Sequence, residues 1–277
     1  MIQLGQINHL KIVKKVDFGF YLDGDNLGEI LMPKRYIFPD MKIGDIIDVI
    51  VYLDGEERLL ATTEIPYAKV GDFAYLKVNK IENVGAFLDW GLSKELLVPF
   101  SEQKVKMEEG KSYVVYVYID KITDRIVGSM KLEKFISKEK PDYAINQEVD
   151  LLIWTLTDVG YKAIINNQHF GVIYKNEIFR KISNGQKMKG YIKKIREDDK
   201  IDLTLDKLGY TKIDSFTQVI LNALDKSGGF LPYNDKTDPA IIYNIFGMSK
   251  KVFKQSIGNL FKQRNIEITP EGIKKIS

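Results

Sequence analysis

Residues 14–33 read KKVDFGFYLDGDNLGEILMP, residues 80–99 read KIENVGAFLDWGLSKELLVP, and residues 155–174 read TLTDVGYKAIINNQHFGVIY. Each stretch has a glycine (Gly19, Gly85, Gly160), an apolar run, a polar turn and a second apolar run. The flanking sequence keeps the same intervals. Gly5 lies 14 positions before Gly19 and Gly44 lies 25 after it. Gly71 and Gly110 stand at those distances from Gly85, and Asn146 and Gly185 from Gly160. Asparagine fits the first place because it tolerates positive φ best among residues with a Cβ. A set of intervals that recurs three times indicates a duplicated unit.

The rest of each unit matches as well. After the third anchor come DIIDVIVYLD, KSYVVYVYID and QKMKGYIKKI, then a charged turn and a last strand: GEERLLATT, TDRIVGSMK and DDKIDLTLD. Each unit offers about five short strands rich in β-branched and aromatic residues. Glycine-bent long strands in units of this size point to a small closed Greek-key barrel of the OB type.

Beyond residue 210 alternation gives way to helical spacing. Ile213, Phe216, Val219, Ile220 and Leu224 mark one apolar face, and Gly228-Gly229 ends the helix. Phe230 to Tyr233 reads as extended. Asp238 is an N-cap followed by Pro239 at the first helical position, and this second helix runs to Phe246. Gly247 breaks it. Ser249 caps a third helix from Lys250 to about Arg264, with Val252, Phe253, Ile257, Leu260 and Phe261 on its apolar stripe. A β-tail follows, from Ile266 to Ile276. This is the winged-helix order. The expected fold is mainly β with a C-terminal α+β domain: barrels over 1–66, 67–137 and 138–209, and a winged helix over 210–277.

Composition narrows the chemistry. The 277 residues contain no cysteine, which removes disulfides, thiolate nucleophiles and Cys-based metal sites. The two histidines, His9 and His169, are far apart and lack evident partners, so a His-rich metal cage or catalytic array is not expected. Neither an N-terminal targeting pattern nor an apolar run of about 18 residues is present, and cytoplasmic residence is expected. Phosphate-loop, zincin and nucleophile-elbow motifs are missing. The acidic pairs sit at turns, where solvated charge is the ordinary reading. The chain is expected to be non-enzymatic and to carry no cofactor and no metal.

Net charge is +3 but unevenly spread. Residues 1–69 carry −3, residues 70–137 carry 0, residues 138–210 carry +2 and residues 211–277 carry +4. Phosphate attraction follows local cationic density, so the C-terminal half is the better electrostatic platform. Its clusters are Lys187 with Lys189; Lys193, Lys194 and Arg196, with Lys200 nearby; Lys250, Lys251 and Lys254; and Lys262 with Arg264. With almost no linker around Gly209, the third barrel and the winged helix are expected to offer one continuous basic track.

Residues 1 to about 208 resemble the S1-motif RNA-binding barrel, three times over. The matching residues are Phe18-Gly19-Phe20-Tyr21, Val84-Gly85-Ala86-Phe87 and Val159-Gly160-Tyr161-Lys162. They are followed by Glu29 to Met32, Glu95 to Val98 and Gly171 to Tyr174. A strand-end Asp and a basic residue come next: Asp54 with Arg58, Asp120 with Arg125, and Lys200 in the basic place of the third unit. Met32, Val98 and Tyr174 replace the family's histidine, and Val84 and Val159 replace its first aromatic. The resemblance implies base stacking on Phe18, Tyr21 and Phe87, a contact from Tyr174, and strand contacts from Lys162, Arg58, Arg125 and Lys200. Three barrels followed by a winged helix resemble the conserved virulence factor B (YitL-like) family of bacteria, which implies RNA binding with a regulatory outcome.

Three functions fit the sequence. The first is binding of single-stranded RNA during or after transcription. The second is DNA binding through the Lys250–Arg264 helix. The third is a protein-binding scaffold on the ribosome or RNA polymerase. The helix opens with Ser249-Lys250-Lys251, which suits phosphate contact better than base reading and weighs against sequence-specific duplex binding. No membrane partner is expected, and the oligomeric state is not legible.

Overall fold

The computed structural model describes residues 1–178, 180–206 and 212–276, with the backbone alone at 212–215. Barrel 1 comprises β1 (Ile7–Val16), β2 (Gly19–Asp23), β3 (Glu29–Pro33), β4 (Ile46–Leu53) and β5 (Leu59–Thr62). Barrel 2 comprises β6 (Phe73–Glu82), β7 (Gly85–Asp89), β8 (Leu96–Pro99), β9 (Ser112–Ile119) and β10 (Ile126–Ser129). Barrel 3 comprises β11 (Glu148–Leu156), β12 (Gly160–Ile165), β13 (His169–Tyr174), β14 (Lys187–Ile195) and β15 (Ile201–Thr204). All three close with the same neighbours, the third strand pairing with the fifth in parallel. Closure leaves no free sheet edge.

Recurring backbone devices shape the units. The long first strand of each barrel shifts register at one equivalent place: Ile12/Lys14, Val78/Lys80 and Ile153/Thr155. Such a bulge bends a strand enough for a small barrel to close. Gly5, Gly71 and Asn146 all have positive φ, as do Gly44, Gly110 and Gly185. The middle glycine of each set is required by contact. A Cβ on Gly19, Gly85 or Gly160 would stand 2.2, 2.3 or 2.0 Å from the carbonyl oxygen of Met32, Val98 or Ile173 on the paired strand.

The winged helix comprises α1 (Lys212–Lys226), β16 (Phe230–Leu231), α2 (Pro239–Phe246), α3 (Lys250–Lys262), β17 (Ile266–Thr269) and β18 (Gly272–Lys275). The Asp238 side chain accepts from the Ala240 N–H, Gly247 is left-handed, and the Ser249 side chain accepts from the Val252 N–H. Ile220, Leu224, Phe246, Phe253, Ile257 and Leu260 are buried in its core. Two stripe assignments need correction: Val219 is 41% and Phe261 is 53% exposed. Each lies one residue from a buried neighbour, and one step of about 100° carries an edge position into solvent. The side chain of Ile213 and the linker around Gly209 lie outside the described residues.

The barrels meet through specific contacts. Ile50 of β4 joins the core of barrel 2. The Ser93 N–H donates to the Glu64 carboxylate at 2.8 Å, and the Val70 N–H to the Gly5 carbonyl at 3.2 Å. Between barrels 2 and 3, Phe73, Val114, Leu132, Leu152 and Ile164 form one buried cluster. Tyr116 and Tyr118 pack on Phe135 at 4.2 and 4.9 Å, as expected of a packing face. The Asn167 side chain accepts from the Phe73 N–H at 2.8 Å and donates to the Gly71 carbonyl at 2.7 Å. The histidines, by contrast, do have partners: His9 meets Asp48, and the buried His169 meets the Tyr143 hydroxyl at 2.8 Å and the Glu139 carbonyl. Folding brings these groups together from 26 to 39 positions away.

Glu102 supports barrel 2 electrostatically. Burial alone would raise its carboxyl, but the Ser129 hydroxyl, Lys134 and Lys131 hold it below the usual carboxylate value. A depressed folded-state value stabilises the fold above the unfolded value, about 4.3, and that stability is lost as pH falls through the folded value. Glu102→Gln should therefore cost about 1–2 kcal/mol at pH 7. Thermal melts of the two proteins should converge as the pH is lowered; a gap that does not narrow at all between pH 7 and pH 3 would contradict this assignment.

Candidate nucleic-acid interface

Alternation on the second strand of each barrel decides what faces outward. Phe20 and Leu22 are buried, and the half-buried Tyr21 between them takes the other face. Register then aligns Lys14, Tyr21, Leu31 and Leu60 in one row across β1, β2, β3 and β5. The equivalent row in barrel 2 is Lys80, Phe87, Leu97 and Val127. In barrel 3 it is Thr155, Lys162, Val172 and Asp202. The first two rows thus centre on an aromatic ring, and the third on a lysine.

The rings carry cations. Lys14 Nζ stands 5.5 Å from the Tyr21 ring centroid and Lys80 Nζ 4.9 Å from that of Phe87. Phe18, 57% exposed, meets Tyr21 edge-on at 6.4 Å. A ring with one face in solvent can stack an unpaired base, while a lysine beside it meets the phosphate. In barrel 3, Trp154 stacks on Phe170 at 5.0 Å, with Lys104 and Lys162 both within 5.5 Å of its ring.

Several expected cationic contacts are already engaged. The Arg58 guanidinium grips Asp54 and Glu56, each at 2.8 Å. Arg125 crosses to Glu57 of barrel 1 at 3.3 Å. Arg196 pairs with Asp202 at 2.8 Å and donates to the Tyr174 hydroxyl, which itself donates to Asp202. Tyr174 is therefore tied into an Arg–Tyr–Asp cluster on barrel 3. Lys193 pairs with Glu177, Lys200 with Asp198 at 2.7 Å, and Lys254 with Asp235 at 3.5 Å. Lys194 is exposed on β14, Lys251 is exposed on the first turn of α3, and Lys250 beside it is half-buried.

The fold also gathers residues that the sequence did not single out. Lys175, Arg180 and Lys181 line a cavity of about 460 Å³ together with Tyr161 and with Tyr243 of α2. The adjacent Arg180 and Lys181 were a visible basic pair, but nothing in the sequence placed α2 beside them. Lys94 sits between barrels 1 and 2, its ammonium 5.8 Å from the Tyr52 ring. Burial first, and then the charge of Arg125, hold its amine below the usual lysine value.

These modules define a multidomain protein assembled from nucleic-acid-binding units, OB-type barrels followed by a winged helix. The S1 domain family matches residues 4–64 and 70–131, and the CvfB-like winged helix domain family matches residues 218–274. YitL of Bacillus subtilis is 28% identical over 274 residues, covering 95% of this chain and 90% of that protein. Conserved virulence factor B of Staphylococcus epidermidis is 26% identical, covering 96% of this chain and 92% of its own. A multidomain protein with nucleic acid binding domains from Streptococcus pneumoniae aligns in structure over 99% of this chain and 98% of its own, at 24% identity and a TM-score of 0.44. The chain is thus similar over nearly its whole length to conserved virulence factor B proteins. Among the described residues no helix is long and apolar enough to cross a membrane.

Proposed function

We propose that this chain binds single-stranded RNA in the cytoplasm as a non-enzymatic regulator acting during or after transcription. Its four units, 1–66, 67–137, 138–209 and 210–277, share the work. The observation that carries this reading is the outward pair Phe18–Tyr21, with Phe87 at the place equivalent to Tyr21 and a lysine beside each row. Bases reach such a face only when unpaired, which favours a single strand over a duplex. The first turn of α3, with Lys250 and Lys251, adds phosphate contact. Contact with the ribosome or RNA polymerase would be secondary to the RNA.

The test is parallel binding of labelled single-stranded RNA, single-stranded DNA and duplex DNA of equal length. Tightest binding to RNA is expected; equal or tighter binding to the duplex would favour DNA recognition through α3.

Salt titration separates the basic residues. Lys194 is exposed while Lys193 and Arg196 hold carboxylates. Lys194→Ala should flatten the log affinity against log salt by about 0.7, the value of one phosphate neutralised on a single strand. Lys193→Ala should change the slope by less. The reverse order would place the phosphate path elsewhere on barrel 3.

A further inference from the structure

A cavity of about 290 Å³ lies where barrels 1 and 2 meet. Barrel 1 contributes Tyr52 and Leu53 from the end of β4. Barrel 2 contributes Phe87, Leu97 and Val127, the centre of its outer row. The outer face of barrel 2 is thus walled on one side by its neighbour. Its size sits near the lower end of small-ligand pockets, about 300 Å³, which suits one nucleotide and not a stack of bases.

Two cations belong to the same cavity. Lys94 donates to the Leu53 carbonyl, which ties barrel 2 to barrel 1 across the pocket. Arg125 spends one guanidinium nitrogen on Glu57, but its buried Nε–H has no hydrogen-bond partner. A buried donor left unpaired is costly, and a turn of the guanidinium that brings it to an acceptor oxygen in the cavity removes that cost. Asp54 favours the charged form of Lys94, but burial and Arg125 outweigh it. Among the described residues Glu95, which Lys80 engages at 3.5 Å, is the one acid lining the cavity. Two cations against one carboxylate, beside an apolar aromatic wall, complement a nucleotide, which joins a flat base to an anionic phosphate.

We propose that the junction of barrels 1 and 2 is a single-nucleotide pocket in a strand-binding path. The base of one unstacked nucleotide lies against Phe87, and Lys94 and Arg125 donate to its phosphodiester oxygens. Tyr52 and Leu53 form the far wall, so the two barrels act as one binding unit. This rests on the reading of the chain as a single-strand binder.

Trp90 lines the cavity and is one of two tryptophans in the chain. Trp154→Phe in the full chain leaves Trp90 as the sole indole reporter. Titration with a ten-nucleotide oligouridylate is expected to change its emission with the midpoint that anisotropy of the labelled oligomer gives. Lys94→Met and Arg125→Gln should each weaken binding about tenfold, as expected for one charge-assisted hydrogen bond, and Lys94→Arg should restore most of it. If the oligomer binds while Trp90 emission stays constant and both charge variants bind within twofold of the parent, the pocket is refuted and the single-strand reading stands. If the oligomer fails to bind at any salt, both fall. Should Lys94→Met fail to fold, Trp90 emission and Arg125→Gln still decide.

Discussion

Replacing Gly160 with alanine is expected to lower the melting temperature of barrel 3 by about 10–20 °C. The added Cβ would sit 2.0 Å from the Ile173 carbonyl oxygen and 2.9 Å from Tyr174 Cα. Both obstacles are backbone of the paired strand β13, so no side chain can swing aside. Relief requires β12 and β13 to part where Gly160 opposes Tyr174. Overpacking costs about 1–3 kcal/mol and occasionally more, and a backbone obstacle belongs at the upper end. In a domain of 60–100 residues, 1 kcal/mol moves the midpoint by about 4–8 °C. Gly55→Ala is the control: Gly55 has open space around its Cβ position and does not have positive φ. That change should be neutral or stabilising by about 0.4–1 kcal/mol. A Gly160→Ala protein melting within 3 °C of wild type would show that the strands separate more easily than their pairing implies.

The second large effect is on binding. Phe18→Ala with Tyr21→Ala should weaken single-stranded RNA binding about 30- to 150-fold while the chain stays folded. Base–aromatic stacking is worth about 1–3 kcal/mol per base. The two rings touch edge-on at 6.4 Å, so their losses overlap and a combined 2–3 kcal/mol is expected. Phe18 is more than half exposed and Tyr21 half-buried, while the core beneath them is built from Phe20, Leu22 and Met32. Circular dichroism and melting should therefore change little. Binding within twofold of wild type would remove barrel 1 from the interface. Unfolding would mean that the rings are core.

The repeat was legible because close backbone approach leaves glycine no substitute. Gly19, Gly85 and Gly160 each face a carbonyl oxygen at a distance no Cβ allows, and that requirement shows directly in the letters. The same holds for Asp238, Pro239, Gly247 and Ser249, whose capping chemistry is local. The outward place of Tyr21 fits period-2 alternation between the buried Phe20 and Leu22, but Phe18 lies in the β1–β2 turn, three positions away, and was expected there only from the resemblance to the S1 barrel. The relations between units were not legible. Ile50 serves the core of the next barrel, and Asn167 holds the Phe73 N–H from 94 residues away. Such contacts depend on how whole barrels are oriented, which no local pattern encodes. The basic runs also looked freer than they are. Asp202 reaches Arg196 across the β14–β15 hairpin, and Glu177 reaches Lys193 from 16 positions before it, pairings that depend on strand register and are not spelled out by the basic run itself. What reads as a bare Lys-Lys-Ile-Arg cluster is in the fold one exposed lysine beside two engaged cations.

The central claim is that a single strand of RNA runs over the outward rows of the barrels. Photo-crosslinking tests it most directly. Oligouridylates carrying one 4-thiouridine at successive positions are irradiated in complex with the full chain, and the attached residues are identified by mass spectrometry. Crosslinks are expected at Phe18, Tyr21 and Phe87, with further sites near Lys194 and the first turn of α3, all lost when unlabelled RNA competes. Crosslinks confined to other surfaces, with Phe18, Tyr21 and Phe87 unmodified at saturating RNA, would contradict the account.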